Sequence, residues 1–343
     1  MIGSERHVKA AEVLKRTRTF RRAELALSGR KLTEAAKLYS LAESGGYDPD
    51  ACAAGRWLCH TLRGDFLTAW GESDAIELRG KPDPNRFWNG QPLDGQRVLI
   101  RCLHGLGDTI QFVRYLPRLR QIAAKVTLES QPALKPLLLL SGLADHVITW
   151  GEAEGDWDQQ VEIVELPRIF RTTVETIPSR IPYLTVPPEP PLASSPLRVA
   201  LVWAASAYDI SRSVPFSLLS RLCHLPGIEF FSLQAGEERA ELAQCGAPVR
   251  DLFEPSGSIL AAAQRLMRMH LLITVDTMMA HLAGALGLPV WTLLPAQADW
   301  RWMLERRDSP WYPSMRLFRQ PEPGSWEPVL HQVESELRKQ LHP

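Results

Sequence analysis

Three stretches of this chain carry residue types suited to chemistry, and each falls where a strand is expected to pass into a helix. The first is His104-Gly-Leu-Gly-Asp108-Thr109, where Gly105 and Gly107 precede an acid. Two glycines let the backbone turn sharply and come close to a ligand. Asp108 follows at the helix start, where a carboxylate also serves as a helix cap, and by itself this pattern reads first as capping. The second stretch is Asp276-Thr-Met-Met-Ala-His281-Leu-Ala-Gly-Ala-Leu-Gly287. Unpaired N–H groups at the start of this helix, with its dipole, make an anion site suited to a diphosphate. Ala283, Gly284 and Ala285 are small enough for close packing, and His281 alone reads first as a satisfied core histidine. The third is Arg212-Ser-Val-Pro215, also opening a helix. Arg212 can offer a two-pronged donor to a phosphate; its plain alternative is a solvated surface arginine.

The elements that position these stretches are legible from apolar patterning. Strands are expected at Val98–Leu103, Lys125–Glu129, His146–Trp150, Leu197–Trp203, Ile228–Gln234, Leu271–Asp276 and Pro289–Pro295. Helical periodicity covers Thr109–Ala123, Ala133–Leu140, Pro215–Leu225, Ser256–Met269, Thr277–Gly287 and Trp326–Gln340. Strands alternating with helices imply parallel, doubly wound sheets. A Pro-rich linker at Pro187–Pro196 divides the pattern in two. Two such units place a ligand cleft between them, at the carboxyl ends of the strands.

The first 80 residues differ. Leu27-Ser-Gly29-Arg-Lys-Leu32-Thr33 is echoed by Leu62-Arg-Gly64-Asp-Phe-Leu67-Thr68, close to the ~34-residue period of tetratricopeptide repeats. Two copies are fewer than a free-standing solenoid needs, so this helical cap is expected to lean on the next domain. Packing is its simplest role, with docking of a protein partner the alternative. A turn-rich connector, Lys81–Pro92, follows. The domain reading is 1–80 helical cap, 88–190 first Rossmann-like domain, 197–325 second Rossmann-like domain and 326–343 C-terminal helix.

Composition narrows the ligand. Lys+Arg and Asp+Glu both number 39, so there is no basic excess for wrapping nucleic acid. Five cysteines without a CxxC pair or a histidine at metal spacing argue against a zinc site and for reduced thiols. No apolar stretch follows the charges of the N-terminus, and the leucine run Leu137–Leu140 is far too short to span a bilayer. A cytoplasmic protein is expected, with any membrane work done at the inner surface.

Arg101 to Pro117 (Arg-x-x-x-Gly-Leu-Gly-Asp-Thr-Ile-Gln-Phe-Val-Arg-Tyr-Leu-Pro) and Asp276 to Gly287 together resemble bacterial tetratricopeptide proteins with a heptosyltransferase-like domain. That domain is akin to the ADP-heptose:lipopolysaccharide heptosyltransferases of glycosyltransferase family nine. Asp299-Trp-Arg-Trp302 and Asp308-Ser-Pro-Trp-Tyr-Pro313 resemble the tetratricopeptide-linked branch, and the likeness spans roughly residues 88 to 340. It implies the α/β GT-B architecture, two Rossmann-like domains around a cleft. It further implies an inverting, metal-independent transfer from a nucleotide-diphosphate sugar, with no cofactor, to an acceptor that the sequence leaves open among glycolipid, protein and small molecule. The matched positions make Asp108 the general base and Arg212 the neutraliser of the diphosphate leaving group. Thr277 and Met278 would supply helix amides, with Asp276 and His281 on the donor side. Glu238 matches the acidic residue at the donor ribose more loosely.

The chain departs from the pattern at Met278, where glycine is usual, at Arg212, where lysine is usual, and in a shortened, less polar loop after Trp203. Two other readings keep the fold: a nucleotide-sugar epimerase, and a scaffold protein whose transferase half has lost activity.

Overall fold

The computed structural model describes residues 16–81, 86–187, 196–205, 209–254 and 257–341. Most of the Pro-rich linker, residues 82–85 of the connector, residues 206–208 of the loop after Trp203, and the first fifteen residues lie outside them. Among the described residues no helix is long and apolar enough to cross a membrane.

The chain divides into two compact units. The first is helical: α1 (residues 16–28), α2 (Leu32–Ser44), α3 (Pro49–Leu62) and α4 (Phe66–Gly80). Asp48 starts α3 by accepting the N–H groups of Asp50 and Ala51 at 2.8 and 3.0 Å, with Pro49 in the first turn, where its missing N–H costs nothing. The two similar heptapeptides fall at the α1–α2 and α3–α4 turns, and the second passes through Gly64 at φ 78°. Ala23, Ala35, Tyr39, Ala42, Cys52 and Cys59 fill the core between helices.

Two later segments complete this unit, Pro167–Ile177 and Asp299–Glu305. Trp300 stands edge-on to Trp57, Phe66 and Trp70. The Trp70 indole N–H donates to the Thr172 carbonyl at 2.8 Å in a buried contact. Arg168 pairs with Asp74 at 3.0 Å and also with Glu77. Local periodicity could not anticipate these long-range additions.

The second unit holds two parallel sheets. One contains β1 (Arg97–Arg101), β2 (Lys125–Ser130), β3 (His146–Thr149) and β4 (Gln159–Glu162), in the order β3-β2-β1-β4. The other contains β5 (Leu197–Val202), β6 (Ile228–Ser232), β7 (Val249–Asp251), β8 (Leu271–Val275), β9 (Val290–Leu294) and β10 (Met315–Arg319), in the order β10-β9-β8-β5-β6-β7. The central β8 and β9 are buried at every residue, as apolar runs covered on both faces should be. The strands that patterning missed, β4, β7 and β10, are all at sheet edges, where polar residues are tolerated and no continuous apolar run is needed.

The helices are α5 (Leu106–Phe112), α6 (Leu116–Leu119), α7 (Lys135–Ser141), α8 (Leu166–Ile169), α9 (Phe216–Leu219), α10 (Glu241–Cys245), α11 (Ile259–Leu266), α12 (Met278–Ala285) and α13 (Glu327–Leu341). The expected helix Thr109–Ala123 is instead α5, a 3-10 turn and α6. Pro117 lies within that stretch and cannot donate to a continuous helix. Along α13, Val329, Leu330, Val333 and Leu337 face the core of the larger sheet beside Phe216 and Trp326. Each such burial is worth ~1.5–3 kcal/mol before entropy.

In each sheet the strand order reverses at one place. β1 is flanked by β2 and β4, and β5 by β6 and β8. Loops leaving two such neighbours diverge to opposite faces, opening a crevice at the carboxyl ends of the strands. His104–Asp108 follows β1, Arg212 lies beyond β5, and Asp276–Thr277 follows β8, so all three motifs open onto reversal points.

A Cβ on Gly55 in α3 would collide with the Tyr39 ring, whereas one on Gly71 in α4 meets nothing within 4 Å. Gly55→Ala should lower stability by about 1–3 kcal/mol. Gly71→Ala should raise it by about 0.5–1 kcal/mol through helix propensity. Urea unfolding of both variants checks this, and equal effects would contradict the packing described.

Candidate functional site

The loop after β1 is tied down from three elements. Asp108 is the third residue of α5, and its Oδ2 accepts the Gly105 N–H at 3.0 Å. The carboxylate therefore does act as a cap. Gln131, buried just after β2, accepts from the Thr109 hydroxyl at 2.9 Å and donates to the His104 carbonyl at 2.8 Å. Glu162, at the end of β4, sets Oε1 2.9 Å from His104 Nε2. Burial pushes the Glu162 carboxyl above its usual range, against the opposing pull of His104. Gln131 and Glu162 belong to no motif, and sequence reasoning missed both. The faint signal was a polar residue at the carboxyl end of a strand, where ligands gather.

The other half of the site is built around α12. Thr277 is its N-cap, with extended backbone, and its hydroxyl accepts the Met279 N–H at 3.3 Å. Asp276 is buried at the end of β8. Arg212 reaches across from beyond β5: Nη1 donates to the Asp276 carbonyl at 3.0 Å and lies 3.9 Å from Asp276 Oδ2, and Nε lies 3.3 Å from Asp209 Oδ2. The structure thus joins two of the sequence motifs through a single guanidinium. Gln234 holds the turn after β5 by accepting the N–H groups of Trp203 and Ala204, each at 2.9 Å. Glu238 is placed apart from this pair, on the 3-10 turn Glu237–Ala240 after β6. Its Oε2 lies 2.7 Å from where a Gly236 Cβ would be.

The helix starts of α5 and α12 meet at Gly107. A Cβ there would stand 2.9 Å from His281 Cδ2 and 3.6 Å from Met278 Cα. His281 is buried, with Nδ1 3.0 Å from the Tyr312 hydroxyl. Burial keeps Tyr312 well above the usual range of a phenol, so it is a neutral partner. Tyr312 OH is 3.4 Å from Tyr183 OH, which receives Arg114 Nη2 at 2.8 Å and donates to the Ile110 carbonyl at 3.0 Å. The Arg114 guanidinium lies over both tyrosine rings, 4.6 and 4.5 Å from their centroids. Gly284, also in α12, faces the Tyr312 ring, where a Cβ would come within 2.5 Å. His281 is therefore part of the framework joining the two helix starts. Among the described residues no group of three or more His, Cys, Asp or Glu side chains could hold a metal ion.

No protein-family model matches the chain. Protein FlbA of Caulobacter vibrioides is 28% identical over 312 residues, covering 77% of this chain and 52% of that protein. The chain thus spans about half the length of this relative. A glycosyltransferase family 9 structure from Veillonella parvula superposes with a TM-score of 0.54 at 12% identity, covering 74% of this chain and 92% of that one. The chain has the fold of glycosyltransferase family 9. E. coli heptosyltransferase WaaC, solved with ADP-2-deoxy-2-fluoro heptose, superposes with a TM-score of 0.51 at 15% identity, covering 71% and 99%. The heptosyltransferase-like architecture expected from the two motifs is present, with parallel sheets in an α/β arrangement. In that fold β1 with α5, and β8 with α12, are the paired strand-and-helix starts that converge at Gly107.

Because the His281 ring is held by Tyr312, it has little room to yield to a new methyl group at Gly107. Gly107→Ala should cost about 1–3 kcal/mol by overpacking. At Gly105 a Cβ meets nothing closer than Asp108 Oδ2 at 3.2 Å, and the backbone is ordinary extended chain. Gly105→Ala should therefore cost clearly less. Denaturation midpoints of the two variants test this, and a Gly107→Ala midpoint as high as that of Gly105→Ala would refute a tight seam.

Proposed function

We propose that this chain transfers a sugar from a nucleotide-diphosphate sugar to an acceptor hydroxyl, with inversion and without a metal ion. The observation that carries the reading is the Arg212 contact with Asp276 at the start of α12, facing the Gly-Leu-Gly-Asp loop. Arg212 and the amides of Thr277 and Met278 surround one place where a diphosphate could lie. A fixed cation and helix N-terminal dipoles stabilise charge that develops on a leaving group without reorganising.

The reaction is a single displacement. The acceptor oxygen attacks the anomeric carbon from the face opposite the diphosphate, and the new C–O bond forms as the old one breaks. The electron pair of the old bond leaves on the diphosphate, beside Arg212. Asp108 takes the hydroxyl proton as the oxygen attacks. Residues 88–190 would then receive the acceptor and residues 197–325 the donor. Asp276 borders the donor sugar, and Glu238 receives the ribose from the loop after β6. His281 contributes by holding the start of α12 in place. Met278 brings a larger side chain to the phosphate approach than a glycine would. The helical unit would dock a protein partner.

Thermal unfolding with ADP, UDP, GDP and their sugar conjugates tests the donor side. A nucleotide at about a hundred times its Kd adds roughly 2.7 kcal/mol, which moves the midpoint by several degrees. One nucleotide family should shift the wild type, and Arg212→Ala should shrink that shift. If no member shifts the wild type, the transferase reading fails and a scaffold role takes its place.

A further inference from the structure

The donor reading leaves one ionisable side chain beside Asp108 without a task. His104 is more than half exposed, yet it is held from three elements. Exposed imidazoles ordinarily swing freely. Here Nε2 sits 2.9 Å from Glu162, the carbonyl of the same residue is held by Gln131, and the next amide is held by Asp108. Glu162 is itself engaged by the Leu103 backbone N–H. With Nε2 at ion-pair distance from the Glu162 carboxylate, Nδ1 is the ring nitrogen left to accept, and the carboxylate stabilises the imidazolium that forms when Nδ1 takes a proton.

Glu162 faces the ring from the end of β4, and Glu165 on the following turn acts on Glu162. Cys102 precedes the loop at the end of β1, with Glu162 and Glu129 acting on its thiol. Cys102 is excluded as a base, since burial pushes its thiol up to about 12. His281 faces Gly107 from α12 but is committed to Tyr312.

We infer that His104, oriented by Glu162, is a second proton acceptor for the acceptor hydroxyl, working in parallel with Asp108. This rests on the transfer reading above and adds a residue outside its motif. In the His104 route the attacking hydroxyl forms its bond to the anomeric carbon and yields its proton to Nδ1. The diphosphate departs with the electron pair of the broken C–O bond. The imidazolium beside Glu162 then passes its proton to water. Glu162 is a positioning residue in this scheme, and His104 is a catalytic one.

Release of nucleoside diphosphate from ADP-, UDP- and GDP-linked sugars, with water as acceptor, gives the readout across pH 5.5–9. Asp108→Asn keeps an oxygen for the Gly105 N–H but removes the carboxylate base. Its residual rate should be the part carried by His104. The double variant D108N/H104Q should lose that residual rate. His104→Gln alone should lower the rate about tenfold, less than the roughly 10²–10⁴-fold of a sole general base because Asp108 remains. Glu162→Gln should cut the residual rate of D108N several-fold, an effect that should vanish in the D108N/H104Q background. Unfolding midpoints of H104Q should stay near the wild type, as for other surface changes. Turnover in which D108N and D108N/H104Q have the same rate overturns the role of His104 and leaves the transfer reading standing. Absence of turnover with every donor removes the transfer reading, and the second base with it.

Discussion

A guanidinium shielded from water sets the terms for the larger unit. Arg114 is almost wholly buried and cannot shed its proton, so its surroundings must supply what water would. Its Nε donates to the Gln111 carbonyl at 2.7 Å, Nη1 to the Trp311 carbonyl, and Nη2 to Tyr183 at 2.8 Å, while aromatic faces cover the rest. Leaving such a charge without partners costs about 3–5 kcal/mol. Satisfying it fixes Tyr183 and the chain at Trp311–Tyr312. Tyr312 then fixes His281, and His281 fixes how closely α12 can approach Gly107. The small residues at Gly107 and Gly284 are consequences of that geometry, because the chain has no room there for a side chain.

The same logic explains why the site is composed of loops and the carboxyl ends of strands. Parallel strands bury both faces and leave their carboxyl ends as the place where backbone amides and short loops can diverge. Arg212 and Asp276 arrive from neighbouring strands, and His104 and Glu162 from another neighbouring pair, each pair flanking an order reversal. Gln131 and Gln234 perform equivalent tasks in the two sheets. Each is a buried amide that holds the turn following a central strand, β1 in one and β5 in the other. That parallel was not visible in the sequence, since the two glutamines share no flanking motif.

What the sequence made legible was what local physics controls. Apolar runs marked β1, β2, β3, β5, β6, β8 and β9, glycine and proline spacing marked the turns that carry Asp108 and Arg212, and the end of an apolar run marked Asp276. Edge strands β4, β7 and β10 escaped because a strand at a sheet edge does not require a continuous apolar run. The capping role of Asp108 was legible from its position in the first turn of α5. Glu162 and Gln131 were not, because their significance comes from contact with a loop far away in the chain. Arg114 was in plain view within a quoted motif, but helical periodicity says nothing of a charge that must be buried. Its role becomes legible once Tyr183 and Tyr312, distant in sequence, are seen around it.

The helical unit is discontinuous along the chain, and this has a consequence for the order in which it can be made. Thr172, which receives the Trp70 indole, and Trp300, which fills the space among Trp57, Phe66 and Trp70, are synthesised long after the helices they complete. At ribosomal speeds of about 5–20 residues per second, the interval between α4 and residue 305 is on the order of tens of seconds. During that time the aromatic faces of the nascent helices lack their final covering. These helices thus emerge well before the segments that finish them, and a chaperone that binds exposed aromatic surface would have a long opportunity there.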